Sequence, residues 1–158
     1  MEFTVKPLSD VTVSLYLPHE IEGGQITTHA QGDQNTFVAD GDVSGKPTLV
    51  PAGTLQSYYL LTNVDIWGDR AAGAVVALGA SITDSSNSTF GSNLRWSNLL
   101  AKRLNHAGTS IGVLNEGISG NRLLSDGAGE SATKRFAGTS SHKPTFGGSS
   151  FLTIQSTT

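Results

Sequence analysis

The run Gly73-Ala74-Val75-Val76-Ala77-Leu78-Gly79 constrains the fold of this chain more than any other segment. It is continuously apolar and lacks the alternation of a strand with one face in water. Such a run fits a strand buried on both faces of a parallel sheet. A polar loop follows from Ser81 to Gly91. Asn93 then stands where a helix N-cap belongs, ahead of Trp96, Leu99, Leu100 and Leu104 at helical spacing. Lys102, Arg103 and His106 suit the negative end of that helix, and Gly108 stops it. Ser110-Ile111-Gly112-Val113-Leu114-Asn115 reads as the next strand. The two strands of such a unit run parallel, joined by a right-handed crossover.

This order already predicts a site. The loops after both strands leave the sheet at one end, and neighbouring strands lie only ~5 Å apart. The segment Gly79-Ala80-Ser81-Ile82-Thr83-Asp84 should therefore meet the segment Asn115-Glu116-Gly117-Ile118-Ser119-Gly120-Asn121. Ligands of open α/β sheets bind beyond the carboxyl ends of the strands.

Residues 1–70 follow a different pattern, β-rich and sandwich-like. Val11-Thr12-Val13-Ser14-Leu15-Tyr16-Leu17 alternates at period two before Pro18; Thr36-Phe37-Val38-Ala39 and Ser57-Tyr58-Tyr59-Leu60-Leu61 are further strand candidates. Gly23-Gly24, Asp40-Gly41-Asp42 and Pro51-Ala52-Gly53 mark turns between them. The formal charge of −3 is scattered along the chain, which points away from nucleic acid and anionic membranes. There is no cysteine, so disulfides, thiolate metal sites and a cysteine nucleophile are excluded. No two histidines have metal-ligand spacing, and no cofactor motif is present. The start has neither a basic nor an apolar leader region, and the longest apolar run, Ala71 to Leu78, is too short to span a bilayer.

Gly79-x-Ser81 at the end of a buried strand is the first chemical signal, with a plain loop serine as its alternative. It is not the G-x-S-x-G elbow, since Thr83 holds the place of the second glycine, and no Gly-Lys-Ser/Thr phosphate loop follows. Three ordered motifs, and a stretch ahead of them, however, resemble the GDSL/SGNH hydrolases. Residues 75–84, Val75-Val76-Ala77-Leu78-Gly79-Ala80-Ser81-Ile82-Thr83-Asp84, are similar to the first sequence block of that family. Asn93-x-Arg95-Trp96-x-x-Leu99-Leu100-Ala101-x-Arg103-Leu104 resembles the helix that follows in one bacterial branch. Val113-Leu114-Asn115-Glu116-Gly117-Ile118-Ser119-Gly120-Asn121-Arg122-Leu123-Leu124 resembles the second block, and the stretch from Pro7 to Pro18 the β-rich segment before block one. The resemblance runs from about residue 8 to residue 136. It implies acyl transfer, with Ser81 attacking an ester carbonyl and the N–H groups of Ser81 and Gly120 forming two donors of an oxyanion hole. For Gly120 the alternative is a plain turn glycine.

The chain departs from the family pattern in three places. Ala80 replaces the aspartate of G-D-S, no G-x-N-D occurs, and no aspartate is followed three residues later by histidine. His19, His29, His106 and His142 are the remaining bases, each with an ordinary loop or helix-end role as its alternative. Asp84 and Asp126 read as loop-forming or solvated residues, Arg122 as half of an ion pair ahead of a holder of a substrate carboxylate, and Trp96 as core ahead of a sugar platform. The fold class expected is α/β: a β-rich segment (1–70), then the first half of a flavodoxin-like parallel sheet (71–136). An irregular tail (137–158) follows. The function expected is a weakened ester hydrolase for short acyl or acetyl esters, acylated carbohydrates among them. The alternative is a non-catalytic β-rich binding or structural module. A sheet cut after two strands leaves an apolar edge, so a homo-oligomer is expected. The tail is expected to be out-of-frame translation: shifted by one base, the codons from Ala137 onward permit R-D-V-L-A after Phe136. A genuine low-complexity tail is the alternative, and a coding DNA without that run in the shifted frame rules the frameshift out.

Overall fold

The computed structural model describes residues 4–24, 26–61, 64 and 73–136. The tail, His142 with it, and the boundary expected at residues 70–71 lie outside the described residues. The described residues fall into two compact units that part at residues 63–64. They are mixed α/β, with small antiparallel ladders in the first unit and a parallel strand pair in the second.

In the first unit, β1 (Thr28–His29), β2 (Thr36–Val38), β3 (Gly53–Leu55) and β4 (Tyr58–Tyr59) form two nested antiparallel ladders. The inner pairs β2 with β3, Phe37 opposite Thr54; the outer pairs β1 with β4, His29 opposite Tyr58. Between them the Gly32 N–H donates to Gln56 O (3.1 Å) and Ser57 Oγ to Ala30 O (3.1 Å). Gly32 is required here: a Cβ on it would stand 2.8 Å from Cζ of Tyr58, whose hydroxyl donates to Gly32 O at 3.1 Å. Tyr58 also stacks on His29, with 5.8 Å between ring centroids. Tyr58 is half-buried and Tyr59 more exposed, as opposite faces of a strand require.

Two expectations for this unit need correction. Residues 11–17 form no strand. Leu15, Tyr16 and Leu17 are 56%, 47% and 51% exposed, so the second half of the apolar alternation buries too little to stabilise a ladder, while Val11 and Val13 are half-buried. Conversely, Gly53, read as part of a turn, opens β3, and Ala52 N donates to Val38 O (2.8 Å) to draw it into register.

In the second unit, β5 (Gly73–Gly79) and β6 (Ile111–Gly117) pair in parallel from Gly73 opposite Ile111 to Gly79 opposite Gly117. The crossover holds α1 (Ser81–Asp84), which the sequence reading placed in a loop, and α2 (Trp96–His106). The helix starts later than the side chain of Asn93 suggested. Asn93 adopts a left-handed φ of 52°, and the extended Arg95 (φ −61°, ψ 150°) is the N-cap, without a side-chain cap bond. At the other end Gly108 acts as expected. With φ 71° it donates to Asn105 O (2.9 Å), and Thr109 N donates to Leu104 O (3.1 Å), the paired bonds of a Schellman closure. The inner stripe of α2 is Ser97, Leu100, Ala101 and Leu104; Trp96, expected in the core, and Leu99, one of the apolar residues at helical spacing, are each 38% exposed. The spacing is helical, but the inward stripe joins two leucines to two small residues and leaves Trp96 and Leu99 beside it.

The expected burial of β5 on both faces is not met: Val75 and Val76 are each 43% exposed. β6 is the better covered strand, with Val113 at 1%. The two strands end on glycines, and α1 sits directly over them. A Cβ on Gly117 would stand 2.6 Å from Cα of Asp84 and 2.8 Å from the carbonyl carbon of Thr83; one on Gly79 would stand 2.8 Å from Cβ of Thr83. Because the atoms facing Gly117 are backbone, nothing can rotate away. Gly117→Ala should therefore lower the stability of this unit by about 1–3 kcal/mol or more, as overpacking does. Gly129→Ala, whose Cβ would meet only Cδ1 of Ile118 at 3.4 Å, should stay within about 0.5 kcal/mol of wild type. Urea unfolding of both variants, followed by circular dichroism, measures the difference.

Candidate active site

Ser81 opens α1 at the carboxyl end of β5. The chain leaves Gly79 through Ala80 (φ −111°, ψ −144°), and Asp84 N closes the turn on Ala80 O at 2.8 Å. As the first helical residue, Ser81 has a backbone N–H that the helix does not use. Its side chain is exposed, and its carbonyl accepts the Ser86 N–H at 3.1 Å. Ser85, left-handed at φ 65°, ends the helix after one turn.

The second predicted segment arrives at the same edge. Ile118 N donates to Gly79 O (3.1 Å), extending the ladder one step past its last pair. Asn121 N then donates to Ile118 O (3.0 Å), closing a turn with Gly120 at its third position and φ 80°. A type II turn needs a positive φ at that place, which is what glycine supplies. Ser81 and Gly120 thus lie on the two loops that leave the carboxyl end of one parallel pair.

What joins these loops is Asp84: of the two readings offered, loop-forming or solvated, the solvated one is wrong. Asp84 is 2% exposed. Its Oδ1 lies 3.0 Å from Nη1 of Arg95, itself buried, and the same Nη1 donates to Asp84 O at 2.8 Å. Its Oδ2 accepts the Ser119 N–H (3.2 Å) and the Ser119 hydroxyl (2.6 Å). Ser86 Oγ in turn hydrogen-bonds Ser119 Oγ. One carboxylate therefore ties α1 to the start of α2 and to the loop after β6. Thr83 O, one residue earlier, accepts Trp96 Nε1 (2.8 Å) and Asn115 Nδ2 (2.7 Å), while Asn115 Oδ1 accepts the Gly117 N–H (3.0 Å).

A third segment closes over the edge. Asp126 pairs with Lys134 at 2.6 Å and accepts the Ser131 N–H at 2.9 Å. Those two donors hold its carboxyl below the usual carboxylate range, the Lys134 bond first. Ala132 N donates to Arg122 O (3.0 Å) and Thr133 N to Leu123 O (3.2 Å), so a helical turn at residues 132–136 is held against the loop. That turn carries Arg135, whose Nη1 donates to Glu116 O (2.7 Å) and Nη2 to Gly79 O (3.3 Å). Arg122, expected in an ion pair, makes none among the described residues.

No imidazole reaches Ser81 within this unit's described residues. His106 closes α2, and a crossover helix runs back against its strands, so that histidine lies at the opposite end of the sheet. His19 and His29 belong to the other unit. Among the described residues no three His, Asp or Glu side chains are grouped as a metal site would group them, and no helix is long and apolar enough to cross a membrane. No family model matches the chain, and a search of curated proteins finds no match.

The sequence reading missed Asp84, Arg95, Ser119 and Arg135. For the first two a signal existed: an acidic and a basic residue flank the loop between α1 and α2 in a chain with only 15% charged residues. Arg135 had none, being 56 residues from the carbonyl it binds. Breaking a buried ion pair leaves an uncompensated charge, which costs about 3–5 kcal/mol. Asp84→Ala and Arg95→Met should each cost that much in urea unfolding. The double variant should cost clearly less than their sum. Ser119→Ala should cost about 1.5–3 kcal/mol, the range for a hydrogen bond to a charged group.

Proposed function

We propose that this chain carries the first half of a serine ester hydrolase of the GDSL/SGNH type, built on the first half of a flavodoxin-like sheet, with Ser81 as nucleophile. The observation that carries this reading is the meeting of the Ser81 and Gly120 loops at one carboxyl edge, tied together by Asp84. Ser81 Oγ attacks the ester carbonyl, and the N–H groups of Ser81 and Gly120 serve as donors to the developing oxyanion. The substrate is a small ester with an acetyl or short acyl group, acylated carbohydrate included.

In the family an asparagine side chain completes the hole and a D-x-x-H pair supplies the base; neither motif occurs in this sequence. A serine hydroxyl without a base is a weak nucleophile near neutral pH. The activity expected is therefore that of a hydrolase stripped of triad members, on the order of 10³–10⁴-fold over water. Release of nitrophenol from a short-chain nitrophenyl ester, compared between wild type and Ser81→Ala, tests this. The variant should fall below wild type, keeping only what the backbone donors supply without a nucleophile. Equal rates would remove Ser81 from the chemistry and favour a non-catalytic module, whereas a turnover typical of an intact esterase would show that a base is supplied after all.

A further inference from the structure

We propose that Arg135 is a positioning residue for Ser81, acting through the Gly79–Ala80 peptide; the proposal rests on Ser81 being the nucleophile. Gly79 O already accepts the Ile118 N–H at 3.1 Å, and Arg135 Nη2 adds a second donor at 3.3 Å. Nη1 of the same guanidinium reaches Glu116 O at 2.7 Å, so one rigid fork spans the ends of both strands where the ladder stops. The carbonyl it holds belongs to the peptide linking Gly79 to Ala80, one residue before the nucleophile. Together with the Asp84 N–H on Ala80 O, which holds the next peptide, it fixes the backbone that leads into Ser81.

The guanidinium is itself held. Its Nε donates to Glu130 O (3.2 Å), Arg135 N donates to Ser131 O (3.0 Å), and the Asp126–Lys134 pair closes the turn that carries it. A lysine could not substitute, because an ammonium is a point donor and cannot hold two carbonyls in the geometry of a planar fork. The role is distinct from that of Asp84, which ties the loops from inside, whereas Arg135 bridges the strand ends with a segment that arrives later in the chain.

The experiment uses the full chain with Arg135→Met, Arg135→Lys and Arg135→Ala. Two quantities are read: the amide NMR signals of Ala80, Ser81 and Ile118, and the rate at which a fluorophosphonate probe labels Ser81, followed by mass spectrometry against Ser81→Ala. Arg135→Met should move the three amide signals and slow labelling roughly 10- to 100-fold, the scale on which a small misplacement of reacting groups acts. Arg135→Lys should recover only part of the rate. Millimolar ethylguanidinium added to Arg135→Ala should recover both the signals and the rate, with the far-ultraviolet circular dichroism unchanged throughout.

Unshifted amide signals in Arg135→Met, or shifted signals with a wild-type labelling rate, would overturn the positioning role and leave the Ser81 reading intact. Unfolding of all three variants would overturn it too, making Arg135 a purely structural residue. Wild-type protein labelled no faster than Ser81→Ala would remove the nucleophile, and the role of Arg135 with it.

Discussion

A single buried carboxylate organises the second unit. Ionised Asp84 in a low-dielectric setting is costly unless its oxygens are fully engaged. Its environment meets that demand with a guanidinium on one oxygen and the N–H and O–H of Ser119 on the other. Each partner comes from a different stretch of chain, so satisfying the charge also decides how those stretches sit. The late start of α2 follows from this. Arg95 turns its side chain inward to Asp84, and the helix begins only after it, whatever the capping preference of Asn93. The glycines at the ends of β5 and β6 are the steric half of the same arrangement, since α1 could not descend to bring Asp84 within reach over a side chain.

The apolar contribution is slight by comparison. Val113 and Ala132 are the buried hydrophobic residues among those described, while Ser97 and Ser131 are buried at least as deeply. Burial of apolar area is non-directional and favours compactness without choosing an arrangement. A charge-assisted network, in contrast, is strongly directional. At this sheet edge the directional terms therefore select the geometry. The exposed Val75 and Val76 show the other side of that balance: a two-strand parallel sheet has too little material to cover both its faces.

What could be read from the sequence was what depends on neighbours in the chain. The strand at Gly73–Gly79, its parallel partner, the helix between them and the Gly108 stop all rest on periodicity or on glycine's backbone freedom. So did the meeting of the 79–84 and 115–121 segments, which follows from the crossover rule alone. What could not be read depends on distant partners. The period-two pattern of Val11 to Leu17 describes a face that would suit a sheet, yet pattern does not supply a second strand. Leu99 and Trp96 fit the helical spacing, but the stripe that turns inward is the one carrying Ser97, which meets Asn115 of the distant strand. The burial of Asp84 depended on Arg95 and Ser119 arriving together: the flanking charges hinted at the first partner, but nothing local to Asp84 announced the second.

The two ladders of the first unit are nested, and nesting imposes an order of events. Closing a loop costs entropy that rises with the length of chain enclosed, but only slowly. Once Val38 and Gly53 meet, β2 and β3 have already absorbed most of that cost. The outer pairing of β1 with β4 then encloses only a few further residues on each side, with Tyr58 closing on Gly32 as a latch between the ladders. Assembly of this arm should thus proceed as a zipper, from the Val38–Gly53 rung outward to Thr28 and Tyr59. The parallel pair has no such shortcut, because every one of its rungs encloses the same full crossover before the first contact forms. The two units of one chain are therefore built for folding at different speeds.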